Sequence, residues 1–144
     1  MTNRMVRQVF VAAAIGMGFA TMAPALPAIA AEAPMAIPAT AAGIWKAIDV
    51  QLKQVHADIG KNALKNVHAH AFAIRDLVRA LPTHSSGLSR NAIAKVTSQS
   101  KFVDTLATRL DQTGDASDRP GTQANLTKLE GVLKTIRANY PAGT

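Results

Sequence analysis

Four histidines, His56, His68, His70 and His84, are the side chains of this sequence best suited to chemistry. A neutral imidazole is a ligand for Cu(II), Ni(II) or Zn(II), and two imidazoles held level on neighbouring helices make the start of a site. A chain reversal is expected at Lys61-Asn62, with His56 about six residues before it and His68 about six after. At 1.5 Å per helical residue both fall about 9 Å from the turn. An antiparallel hairpin therefore places them in one layer, each flanking the apolar stripe of its helix. His70 lies about 3 Å further along and is rotated by roughly 200° from His68, so one ion is not expected to take both; it ranks next as a ligand. Asp58 and Gln54 are near enough in sequence to supply an oxygen. His84 falls about 24 Å along the axis from His68 and cannot join them. The expected metal ligands are thus His56, His68 and His70, and the implied cofactor is a copper, nickel or zinc ion. The competing account is that these are ordinary helix-flanking histidines, because a closed structural zinc site uses four protein ligands.

Other chemistry has less to stand on. The chain has no cysteine, which removes thiol catalysis, disulfides and a lipid-modified cysteine. Four of its five methionines fall within the first 22 residues, leaving only Met35 for a soft ion such as Cu(I). No G-x-S-x-G elbow, H-E-x-x-H pair or phosphate-cradling glycine loop occurs. Ser85, Ser86, Ser89, Ser98 and Ser100 fall in a loop or on a polar face, and Asp49, Asp76, Asp104 and Asp111 sit where exposed, ion-pairing residues of helices belong. A non-enzymatic protein is expected. Trp45, Phe72 and Phe102 flank apolar stripes; core packing is their ordinary role, and lining a groove for a ligand or partner helix is the alternative.

The positioning elements begin after a leader. Arg4 and Arg7 precede an apolar run from Val9 to Ala23, which is followed by Pro24, Pro27 and the small residues Ala28-Ile29-Ala30-Ala31. Positive, apolar, helix-breaking and A-x-A segments in that order make a secretory signal, residues 1–30, with cleavage after Ala30. A membrane-spanning helix needs about 20 apolar residues; this run is shorter and ends in prolines. The mature chain is expected to be periplasmic, with no transmembrane segment once the signal is removed. The leader takes two arginines with it and leaves a net charge of about +5. The remaining basic residues are dispersed, with one Trp and one Tyr among them. Nucleic-acid recognition needs a concentrated basic patch, usually with aromatic platforms, so no nucleic acid is expected as a partner.

Residues 31–42, rich in Ala and Pro, read as a flexible lead-in. Four helical stretches then follow over 43–140, at about 43–60, 63–81, 89–114 and 119–140. Their apolar stripes are Ile44, Ile48, Leu52, Val55 and Ile59; Leu64, Val67, Ala71, Ile74, Val78 and Leu81; Ile93, Val96, Val103, Leu106 and Leu110; and Leu126, Leu129, Leu133, Ile136 and Tyr140. Spacings of three and four put each set on one helix face. Gly60, Pro82, Gly114 and Pro141 are the expected stops, Ser89 and Asp118 the expected N-caps, and Pro120 a first-turn proline. Four such helices joined by short loops predict an all-α fold, an antiparallel up-down-up-down four-helix bundle after a cleaved signal peptide.

The segment Val67-His68-Ala69-His70-Ala71-Phe72-Ala73-Ile74-Arg75-Asp76-Leu77-Val78, followed by Ala80-Leu81-Pro82, resembles a motif of small exported bacterial four-helix-bundle proteins. Phe102-Val103-Asp104-Thr105-Leu106-Ala107 through Asp111-Gln112-Thr113-Gly114-Asp115 is similar to another of their motifs. Some proteins of that kind are associated with heavy-metal efflux, so the resemblance implies metal handling and an envelope efflux or other periplasmic protein as partner. The helical layout is also similar to the periplasmic four-helix b-type cytochromes. Their haem is held by a Met early in the first helix and a His late in the fourth; this chain has neither, nor a C-x-x-C-H, and haem is not expected. A structural or interaction module that binds another envelope protein without metal is the alternative function.

Overall fold

The computed structural model describes residues 35–142 and 144. The expected signal, residues 1–30, and the first part of the lead-in lie outside the described residues. Among the described residues the chain is all-α, with no strand. Its helices are α1 (Ala41–Gly60), α2 (Val67–Ala80), α3 (Arg90–Asp115) and α4 (Arg119–Arg137). One-turn 3-10 segments, Leu64–Asn66 and Leu81–His84, bracket α2.

The starts of α1, α3 and α4 follow from side-chain capping. Thr40 accepts from the Gly43 amide, Ser89 from Ala92 and Asp118 from Gly121. Each cap satisfies one of the amides that a helix N-terminus leaves without an internal partner. The ends of α1 and α3 share a second device. After α1 the Ala63 amide donates to the Asp58 carbonyl and Asn62 to Ile59; after α3 Asp118 donates to Thr113 and Ser117 to Gly114. These are paired Schellman bonds, and each requires one residue in the left-handed region. Asn62 (φ 58°) and Ser117 (φ 55°) fill that position. The glycines expected to end these helices stand at or one residue before the helix ends, without taking the left-handed position themselves. Gly60 is the last residue of α1, and Gly114 stays inside α3, which runs on to Asp115. Pro82 does halt α2, and the chain continues through it as a 3-10 turn.

One apolar cluster draws on all four helices: Ile44, Trp45 and Ile48 from α1, Ile74, Leu77 and Val78 from α2, Val103 and Leu110 from α3, and Leu126, Leu129 and Ile136 from α4. Burying each such aliphatic side chain contributes about 1.5–3 kcal/mol, and without disulfides this burial is the main stabilising term. α1 packs on α2, α2 on α3 and α3 on α4, whereas the backbones of α1 and α4 approach less closely. Phe102 departs from the expected core role. It stands 61% exposed on α3, while Val103, Leu106, Ala107 and Leu110 turn inward. No described helix is long and apolar enough to cross a membrane.

Candidate functional site

The three histidines expected to ligate a metal are carried by α1 and α2, and each finds a different partner. His56 Nε2 lies 2.7 Å from Glu130 Oε1 of α4. His68 Nδ1 lies 2.7 Å from Asp111 Oδ1 of α3, and its ring meets Phe72 edge-on at 4.7 Å. The expected pairing of His56 with His68 thus gives way to two separate contacts, one turned to α4 and one to α3. Both rings are half exposed, so each pair contributes at most about 1 kcal/mol to stability. The physical reason is the side of its helix on which each ring stands: His56 flanks the α1 stripe on the side of α4, and His68 flanks the α2 stripe on the side of α3. Among the described residues no three His, Asp or Glu side chains converge on one point.

His70 is placed differently. It sits on the α1–α2 seam, less exposed than the other two, facing Gln51 and Asp58, which stand two turns apart on one face of α1. Its Nδ1 lies 2.7 Å from Gln51 Oε1. An amide oxygen only accepts, so Nδ1 carries the proton and donates. The Gln51 amide nitrogen in turn faces the Met35 sulfur at 3.9 Å, which orients the oxygen toward the ring. In the neutral imidazole Nε2 then presents its lone pair to Asp58 Oδ2, 3.5 Å away. That Asp58 oxygen is buried and has no hydrogen-bond partner. Two acceptors facing each other in a partly buried seam need a positive charge to share, either a proton on Nε2 or a metal ion. The spacing suits an ion, since two ligands of a tetrahedral zinc at 2.0–2.1 Å stand about 3.3 Å apart.

Several of the other polar groups pair among themselves. Arg79 Nε donates to Asp104 Oδ1 and Arg75 Nε to Asp76 Oδ1, each at 2.8 Å. The Asp104 carboxylate raises the Arg79 pKa further above its ordinary value. Arg137 Nη2 spans both oxygens of Asp49 at 3.0 and 2.9 Å. His84 Nδ1 donates to the Ala39 carbonyl at 3.0 Å, tying the residues before α1 to the turn after α2.

Sequence reading found His70 and Asp58 but missed Gln51. The signal available was the seven-residue interval from Gln51 to Asp58, which places both on the face of α1 that meets α2. In comparisons with known proteins, no family model, curated protein or solved structure matches this chain.

Proposed function

We propose that this chain is an exported, non-enzymatic periplasmic protein whose four helices form an antiparallel up-down-up-down bundle, and that it binds a transition-metal ion through His70 and Asp58. Several contacts support the helix order. His68 pairs with Asp111 and Arg79 with Asp104, Asp49 with Arg137 and His56 with Glu130, so numbers rise along one helix as they fall along its neighbour. The leader supports export.

The observation that carries the metal reading is the unpartnered Asp58 Oδ2 facing His70 Nε2 at 3.5 Å. Gln51 fixes the ring so that Nε2 is the free donor, as outer-sphere partners of ligating histidines commonly do. Two protein donors leave the other coordination positions to water, which gives an exchangeable site suited to handling an ion rather than burying it. Copper, nickel or zinc fits this nitrogen and oxygen set.

The test is calorimetric titration of Zn(II), Ni(II) and Cu(II) into the mature protein and three variants. His70→Ala and Asp58→Asn are expected to weaken binding at least tenfold, and the His56→Ala/His68→Ala double variant to leave it unchanged. Binding that survives His70→Ala overturns the assignment. Processing is read separately, by N-terminal sequencing of the exported chain, where a start at Ala31 is expected.

A metal-free interaction module is the second reading. It is favoured by the carboxylates already engaged by His56 and His68. Absence of any metal-dependent heat, together with specific recovery of an envelope protein on the immobilised mature chain, supports it instead.

A further inference from the structure

The seams between neighbouring helices differ in charge. Carboxylates lie in three of them. Asp104 and Asp111 of α3 meet Arg79 and His68 of α2, Asp49 and Glu130 join α1 and α4, and Asp58 faces His70 between α1 and α2. The α3–α4 seam has no ion pair among the described residues; Asn125 Nδ2 donates across it to the Arg109 carbonyl and Asn139 Nδ2 to Gln99 Oε1. Lys95, Phe102 and Arg109 stand along the α4 side of α3, seven residues apart and so nearly in line, about 10 Å from one to the next. All three are exposed, Phe102 at 61%. Lys128, also exposed, lies one turn from Asn125 on the facing edge of α4. Neither Lys95, Arg109 nor Lys128 has an Asp or Glu three or four residues away on its helix, the spacing at which helical neighbours pair. The carboxylates of these helices lie elsewhere: Asp104 and Asp111 face α2, Glu130 faces α1, and Asp115 and Asp118 belong to the turn between α3 and α4.

We infer that this face docks reversibly on an anionic phospholipid surface. An exposed ring among unpaired cations suits the boundary between headgroups and acyl chains, where aromatic side chains insert and Lys or Arg meets phosphate. Charge complementarity selects the occupant. A second copy would bring like charges together. A small anion would need the cations gathered at one point, whereas they spread over about 20 Å of α3. A planar array of phosphates meets all of them at once. Docking uses neither His70 nor Asp58 and is independent of the metal reading.

The experiment is co-sedimentation of the mature protein with vesicles of mixed phosphatidylglycerol and phosphatidylcholine, and with vesicles of phosphatidylcholine alone. Saturable binding to the anionic vesicles is expected, and its loss in high salt, which screens the cations. Lys95→Gln/Lys128→Gln is expected to weaken it about twentyfold, roughly fivefold per charge. Lys46→Gln/Lys53→Gln removes the same charge from α1, where each lysine has Asp49 within one turn, and is expected to weaken it no more than about twofold. Phe102→Trp places a reporter on the face, beside the steady signal of the buried Trp45. Its emission is expected to shift to the blue on anionic vesicles and to be quenched by brominated acyl chains. No binding, equal binding to neutral vesicles, equal losses from the two lysine pairs, or unchanged emission from Phe102→Trp overturns the proposal. So does capture of an acidic protein at this face by a chain that ignores the vesicles.

Discussion

Gly114 of α3 packs directly on Leu64: a Cβ added there would lie 2.7 Å from the Leu64 carbonyl oxygen, closer than real Cβ atoms come. The contact lets the 3-10 turn before α2 lie against α3. The oxygen belongs to backbone and cannot swing aside. Gly114→Ala gains up to about 1 kcal/mol of helix propensity but forces a backbone shift costing about 1–3 kcal/mol. A net loss of about 1–2 kcal/mol is expected in urea unfolding. Gly131 of α4 is the matched control, exposed and with nothing within 4 Å of an added Cβ. Gly131→Ala keeps the propensity term alone and is expected to stabilise by about 0.5–1 kcal/mol. If both substitutions move stability in the same direction, the close approach is not what selects glycine at 114.

Tyr140 closes the core beyond α4, with its ring edge-on to Trp45 at 5.6 Å and its hydroxyl 2.8 Å from the buried Ser85. Burial raises the phenol pKa above its ordinary 10.0, and the Ser85 hydrogen bond opposes part of that rise. Below about pH 10 the phenol is neutral whether the chain is folded or not. Above it, the unfolded chain ionises first and releases its proton while the native phenol still holds it. Stability is therefore expected to fall as pH climbs from 10 through the higher native value. Tyr140 is the only tyrosine, so tyrosinate absorbance gives its titration directly. The native midpoint is expected above the denatured one, and Ser85→Ala is expected to move it further up.

Helix positions and caps were legible in the sequence because they depend on local chemistry. Ser89 and Asp118 cap as their spacing suggests, and the stripes of all four helices supply the core. What sequence could not give was rotation about the helix axes. The pairing of His56 with His68 depended on the phase of α2 relative to α1, and in the fold His56 faces α4 while His68 faces α3. Gly60 and Gly114 marked the helix ends to within a residue, but not the left-handed cap: Asn62 and Ser117 take that position, and Gly114 serves close packing instead. Asp58 was visible as an oxygen donor, but that one of its oxygens is unpartnered follows only from three-dimensional packing.

Phe102 marks the same limit on α3. It adjoins Val103 and Leu106 in sequence, yet α3 turns its neighbours inward and leaves it 61% exposed. A side chain with little burial has little transfer energy to lose. Phe102→Ser is expected to change stability by no more than about 0.5 kcal/mol, whereas Leu110→Ala on the buried face of the same helix should cost about 2–5 kcal/mol. Chemical denaturation of the two variants side by side checks this. A large loss from Phe102→Ser would mean that its face is covered in solution.

The turn from α3 to α4 offers the sharpest test of how the helices are joined. Ser117 holds φ at 55° between the Schellman bonds that close α3 and the Asp118 side chain that caps α4. An L-residue in that region carries a backbone cost of about 1–2 kcal/mol, which glycine avoids. Against this stands glycine's larger loss of chain entropy on folding, up to about 1 kcal/mol. Ser117→Gly is therefore expected to be stabilising by about 0.5–1 kcal/mol. Asn62 occupies the same position after α1, but Asn tolerates left-handed geometry better than Ser, so Asn62→Gly should gain less. Asp118→Ala removes the cap itself and is expected to cost about 1–2 kcal/mol. The three effects, measured as shifts in the urea midpoint at constant slope, should rank Ser117→Gly above Asn62→Gly above Asp118→Ala. A destabilising Ser117→Gly would show that the serine side chain, rather than the backbone angle, is what the turn requires.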